Sequence, residues 1–153
     1  MPDAVLPTGI RSTLKLLFEA HCAEVKNVSH RVAGRMTGHM TVLLAQSNVP
    51  YNQLAEPQDI NPSMDTIDVA IVIGANEGFN AHAREEPSSS LYGMPIINAH
   101  HARSVLVLKR SLSPDFAGVE NPVFFMPNAR MLFGDAKTTI AALLAEFEVA
   151  KGV

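Results

Sequence analysis

The stretch "TIDVAIVIG", Thr66 to Gly74, decides the fold. Val69 to Ile73 are apolar at every position. A strand with one wet face alternates apolar and polar residues; an unbroken apolar run predicts a strand covered on both faces, as in parallel sheets flanked by helices. Gly74 ends it. Val105 to Leu108 form a second run of this kind, and it runs straight into Lys109, Arg110 and Ser111.

Working outward, Glu24 to Ser29 is a weaker strand candidate. Val123 to Phe125 and Met131 to Phe133 are short ones. Ala4 to Leu6 is an apolar stub before the turn signal Pro7-Thr8-Gly9. Helical spacing of three and four predicts helices over Thr13 to Ala23, with Leu14, Leu17, Phe18 and Cys22 on one stripe, and around Met40 to Val49, stopped by Pro50. It also predicts a closing helix over Asp135 to Glu148, with Ile140, Leu143, Leu144 and Phe147 together. Ile96 to Arg103 reads as a short helix. Asn61-Pro62, "EEPSSSLYGMP" and "PDFAGVENP" read as loops. Strands alternating with helices predict an α/β domain with a doubly wound, mostly parallel sheet, and the length of 153 residues suits a single domain.

Composition sets bounds. The chain is 47% hydrophobic and 18% charged, which supports a packed core. A formal net charge of −3 argues against a general nucleic-acid binder, which ordinarily carries a basic excess. The single cysteine, Cys22, cannot form an internal disulfide and suits a reducing compartment. No secretory signal is visible, and no apolar run reaches the ~20 residues that cross a bilayer. His100 and His101 are adjacent and do not share a helix face; with no His-Glu-x-x-His pattern and no cysteine pair, no metal is expected. Nor is there a Gly-x-Ser-x-Gly elbow.

In a sheet of this type ligands gather beyond the carboxyl ends of the strands. Each strand end there admits two readings. Gly74 to Gly78, with Asn76 between the glycines, is a plain turn or a close approach to a ligand. Gly34 and Gly38 around Arg35, leading into a helix, form an exposed loop or a phosphate site. Lys109-Arg110-Ser111 is a solvated strand end or a phosphate clamp, the arginine by its planar fork and the lysine as a point charge. A 2′-phosphate on an adenosine ribose is the target this fold suggests.

Taken in order, "HRVAGRMTGHMTVLLAQSNVPY", "VAIVIGANEGFN", "YGMPI", "VLVLKRS", "AGVENPVFF" and "MLFGDAK" closely resemble the NADP(H)-binding domain of proton-translocating nicotinamide nucleotide transhydrogenase, the peripheral C-terminal domain of its beta subunit. The likeness runs from about Val25 to Ala145. It implies a Rossmann-like domain that binds NADP(H) and exposes the nicotinamide at one edge. A separate NAD(H)-binding domain docks there for direct hydride transfer, and a membrane domain couples the transfer to proton movement. The domain itself would sit on the cytoplasmic or mitochondrial-matrix face of that membrane complex.

The resemblance assigns Val32, Ala33, Gly34, Arg35, Met36 and Thr37 to the nucleotide diphosphate. Gly74, Ala75, Asn76, Glu77 and Gly78 fall to the nicotinamide half, and Gly93 and Met94 to further contacts. Lys109, Arg110 and Ser111 match the 2′-phosphate site. Ser111 to Phe116 and beyond match a lid, and Asp135 and Ala136 the last contacts. Four features depart from the family pattern. Glu77 stands for an aspartate linked to coupling, Thr37 for a proline and Phe116 for a tyrosine. The N-terminal stretch has no Gly-Tyr-Gly fingerprint, so the first strand is expected to be shortened or missing. Three functions follow as alternatives: a transhydrogenase component, a stand-alone NADP(H)-binding regulatory module, and a degenerate domain that binds nucleotide weakly or not at all.

Overall fold

The computed structural model describes residues 24–28, 52, 54–73, 77–111 and 120–151. The stub at Ala4 to Leu6, the helices expected over Thr13 to Ala23 and Met40 to Val49, and with them the expected state of the first strand, lie outside the described residues.

Among the described residues the strands form two parallel sheets. Strand β1 (Asn27–Val28) pairs with β2 (Leu54–Ala55). A three-stranded sheet carries β3 (Val69–Ile73), β4 (Ser104–Lys109) and β5 (Ala129–Phe133) in that order, with β4 in the middle. Helix α1 (Pro57–Ile60) follows β2, helix α2 (His82–Glu85) lies between β3 and β4, and helix α3 (Ala136–Lys151) follows β5. This is the parallel α/β architecture expected of a Rossmann-like chain. Among the described residues no helix is long and apolar enough to cross a membrane.

The period of two along each strand explains why the runs are apolar throughout. Val105 and Val107 of β4, with Ala70 and Val72 of β3 and Ala129 and Met131 of β5, pack into one core with Ile60, Met64, Phe79, Val123 and Phe124. The intervening residues Leu106 and Leu108, Ile71 and Ile73, and Leu132 face the other way, onto Ala136, Ile140 and Leu144 of α3. Each face therefore has its own cover. Val105, Val107 and Ile140 are wholly buried. Coverage thins at the amino end of β3, where Val69 is exposed.

Helix α3 starts one residue after its expected first residue, Asp135, and runs to Lys151, beyond the expected end at Glu148. Asp135 caps it: Thr138 N donates to Asp135 Oδ2 at 3.2 Å and Thr139 N to Asp135 O at 2.9 Å. A carboxylate here satisfies backbone donors that the first turn leaves unpaired.

Three expectations need correction. Val123 to Phe125 is not a strand but part of a 3₁₀ turn, Pro122–Phe125. Asn121 Oδ1 accepts from Val123 N at 3.1 Å, and this local bond bends the chain, while burial of Val123 and Phe124 gives it the apolar look of a strand. Asn61-Pro62 opens a 3₁₀ helix, Asn61–Thr66, instead of a loop. Asn61 fastens that segment by donating from Nδ2 to Ile96 O and accepting from Asn98 N, both at 2.8 Å. Within Ile96 to Arg103, only Ala99–His101 is helical, as one 3₁₀ turn.

Candidate functional site

The strand register brings the carboxyl ends of the sheet together. Ile73 is opposite Leu108, and Lys109 is opposite Phe133. Gly134 N then donates to Lys109 O at 3.0 Å, carrying the ladder one step past β5. The chain therefore delivers Lys109, Arg110 and Ser111 beside Gly134, Asp135 and Ala136. Five of these residues, Lys109, Arg110, Ser111, Asp135 and Ala136, are assigned by the resemblance from two separate segments of the sequence, and the fold makes them neighbours. Gly134 has φ +137°, a conformation that favours glycine; a Cβ there would meet only Thr139 Oγ1, at an ordinary 3.5 Å.

The charges at this edge are unequal in setting. Arg110 Nη2 lies 3.9 Å from Asp135 Oδ1, with the two side chains 66% and 54% exposed. A contact so long and so wet contributes little, about 0–1 kcal/mol, and leaves the guanidinium open to an incoming anion. Lys109 is half-buried, and its Nζ lies 5.2 Å from the centroid of the Phe124 ring. That is within the ~6 Å over which an aromatic face attracts a cation. Phe124 in turn packs on Phe79, the centroids 5.9 Å apart and the planes inclined at 52°.

Phe79 closes the 3₁₀ turn Glu77–Phe79, which follows β3. Glu77 opens this turn, and Gly78 O accepts from Ile97 N at 2.8 Å. Asn80, fully buried, accepts from His82 N at 3.0 Å and donates to Glu120 O at 3.1 Å. It thus joins the turn after β3 to the point where the chain returns toward β5.

Gly93 and Met94 belong to a second neighbourhood. With Ala83, Arg84, Tyr92 and Pro95 they line a shallow cavity of about 320 Å³. Gly93 has φ +84° and its N–H donates to Ala83 O at 2.8 Å, closing the turn-rich segment onto α2. Beneath it Ala83, Leu91 and Ile96 form a small separate core, with Met94 packed against them. Of the other residues assigned by resemblance, Val32 to Thr37, Gly74 to Asn76 and Phe116 lie outside the described residues.

The donor set fits a phosphate. A dianion needs hydrogen-bond donors and positive charge, and Lys109, Arg110 and Ser111 offer both at one strand end. Among the described residues no three His, Cys, Asp or Glu side chains are grouped to hold a metal ion. Burial pushes the pKa of His100 below its usual value; the charges of His101 and Arg84 act in the same direction and Glu85 opposes them. His100 Nδ1 is buried with no hydrogen-bond partner among the described residues, while its ring meets His101 edge-on at 4.3 Å.

Sequence reasoning turned to the strand end Gly74 to Asn80 but gave Phe79 and Asn80, like Phe124, no individual role. The Asn-Pro pair before Val123 is a turn signal that argues against a strand there. Nothing in the sequence says that Phe124 meets Lys109.

Comparison with known proteins gives two findings. Residues 9–146 match the family described as NAD(P) transhydrogenase beta subunit. The NAD(P) transhydrogenase subunit beta of Rhodospirillum rubrum is 55% identical over 114 residues, covering 74% of this chain and 25% of that protein. The same subunit from a named strain of that organism matches with the same values. The chain thus spans about a quarter of the length of the curated relatives it matches.

Proposed function

This chain belongs to the NAD(P) transhydrogenase beta subunit family, and on that premise we propose that it is the NADP(H)-binding component of a nicotinamide nucleotide transhydrogenase. One observation carries the reading: Lys109 and Arg110 leave the central strand side by side, next to Gly134 and Asp135 of the neighbouring strand end. Paired cations there suit the extra phosphate that separates NADP(H) from NAD(H).

In this reading Arg110 grips the 2′-phosphate through its planar fork, Lys109 adds a point charge and Ser111 a hydroxyl donor. Val32 to Thr37 hold the diphosphate. The turn from Gly74 to Gly78 supports the nicotinamide half. Gly93, Met94, Phe116, Asp135 and Ala136 complete the contacts, and Glu77 is the acid tied to coupling. When bound, the cofactor supplies the hydride chemistry; the protein binds, orients and excludes water, and no side chain acts as a nucleophile. Hydride exchange would require an NAD(H)-binding domain, and proton coupling a membrane domain.

Calorimetric titration with NADP⁺ and NAD⁺ tests the binding. Tight NADP⁺ binding with little NAD⁺ binding is expected; binding of neither would favour a degenerate domain and end the proposal. An NAD(H)-binding transhydrogenase component, added to the NADPH-loaded chain with an NAD⁺ analogue, should then give hydride exchange visible by absorbance. NADP⁺ binding without exchange would point to a stand-alone binding module.

A further inference from the structure

We propose that Asn80 is a positioning residue for the nicotinamide half of the nucleotide: it fixes the turn after β3 against the chain at Glu120, and so sets how much that half adds to affinity; the proposal rests on the nucleotide reading given above. Asn80 comes directly after the turn Glu77–Phe79, which carries Glu77 and Gly78 of the segment assigned to the nicotinamide. Its amide offers two donors and an acceptor. Oδ1 accepts from His82 N at 3.0 Å, which binds Asn80 to its own segment. Nδ2 donates to Glu120 O at 3.1 Å, 40 residues further along the chain. The side chain is wholly buried, so water cannot replace either partner, and losing the amide would leave a backbone carbonyl unpaired.

The two segments also meet through the Phe79 and Phe124 rings, one residue before Asn80 and four after Glu120. Apolar attraction is non-directional, so that contact holds the segments together but tolerates sliding. A hydrogen bond weakens steeply with distance and angle, and the Asn80 bond therefore sets where the turn sits. Ile97 N donates to Gly78 O at 2.8 Å, so the turn is fastened to a further segment as well. The cations stand on a different strand end, after β4. Loosening Asn80 should thus be felt by the nicotinamide half and spare the half that carries the 2′-phosphate, since binding energy from each half depends on how well its own contacts are placed.

The test measures affinities for NADP⁺ and for adenosine 2′,5′-bisphosphate, which lacks the nicotinamide half, by calorimetry on the full chain and three variants. Asn80→Ser keeps an oxygen for His82 N but is too short to reach Glu120 O; Asn80→Leu keeps the bulk and loses both bonds. Asn128→Ser is the control: Asn128 Nδ2 donates to His100 O at 3.1 Å and Ala102 O at 2.8 Å, a comparable tie at the opposite end of the sheet. NADP⁺ affinity should fall about three- to tenfold in both Asn80 variants, the net worth of one hydrogen bond, while affinity for the bisphosphate holds within about twofold. Asn128→Ser should leave the ratio of the two affinities unchanged. An equal loss for both ligands, no loss, or the same change of ratio in Asn128→Ser overturns the inference. Should neither Asn80 variant fold, hydrogen exchange on the parent chain decides: the His82 amide, bonded to Asn80, should exchange more slowly with NADP⁺ than with the bisphosphate, and equal protection by the two overturns the inference. A parent chain that binds neither ligand overturns the nucleotide reading itself, so the two failures are told apart.

Discussion

Lys109 and Gly134 are joined across the ends of adjacent strands, Gly134 N donating to Lys109 O at 3.0 Å, so the strand end that carries the cations and the turn that starts helix α3 form one structural unit. What is done to either segment is felt at the same edge of the sheet.

The cations should be separable from the rest of the binding site. Replacing Lys109 or Arg110 by alanine removes one charge-assisted contact, about 1.5–3 kcal/mol, or roughly ten- to a hundredfold in NADP⁺ affinity. NAD⁺ affinity should stay within about twofold, because no partner phosphate is lost. Titrations of each variant at two salt concentrations check this, and the parent chain should show the steeper salt dependence.

Asp135 performs two tasks, capping α3 and facing Arg110. Asparagine caps about as well as aspartate, whereas alanine does not, so Asp135→Ala should lose about 0.5–2 kcal/mol of stability and Asp135→Asn much less. Urea denaturation of both variants distinguishes the cap from the ion pair. Equal losses would assign the stability to charge.

Gly134→Ala should cost about 1–3 kcal/mol through backbone strain alone, since φ is +137° and the added methyl meets nothing closer than 3.5 Å. The expected signature is a lower denaturation midpoint with an unchanged slope.

Ile140 is the wholly buried residue through which α3 reaches the second face of the sheet. Truncation to alanine should destabilise the fold by about 2–5 kcal/mol, measured in the same way.

His100 predicts a pH dependence. Its folded-state pKa is lowered, chiefly by burial, from the model-compound value of 6.5, so the unfolded chain takes up the proton first. Stability should be full above about pH 6.5 and decline as the pH falls from there through the folded-state value, the unfolded state binding more protons in that window. In His100→Phe this part of the decline should vanish, leaving a flatter profile between neutral and mildly acidic pH.

Val69 to Ile73 and Val105 to Leu108 were legible as doubly covered strands because an unbroken apolar run has few other stable settings, and the closing helix because its stripe repeats at the helical period. Lys109 and Arg110 stood out because two cations at the end of such a run have no role in the core. Val123 to Phe125 misled, since a buried 3₁₀ turn and a short strand need the same apolar side chains; the Asn121-Pro122 turn signal and the local bonds to Asn121 and Val123 separate them.

The sequence by itself determined the class of architecture and the cationic strand end, since both follow from the order of residues along one segment. Only the tertiary structure decided that the Phe124 ring lies near the Lys109 ammonium, that Asp135 faces Arg110, and that Asn80 ties the turn after β3 to Glu120. Those pairs are distant along the chain, and strand register and core packing bring them together.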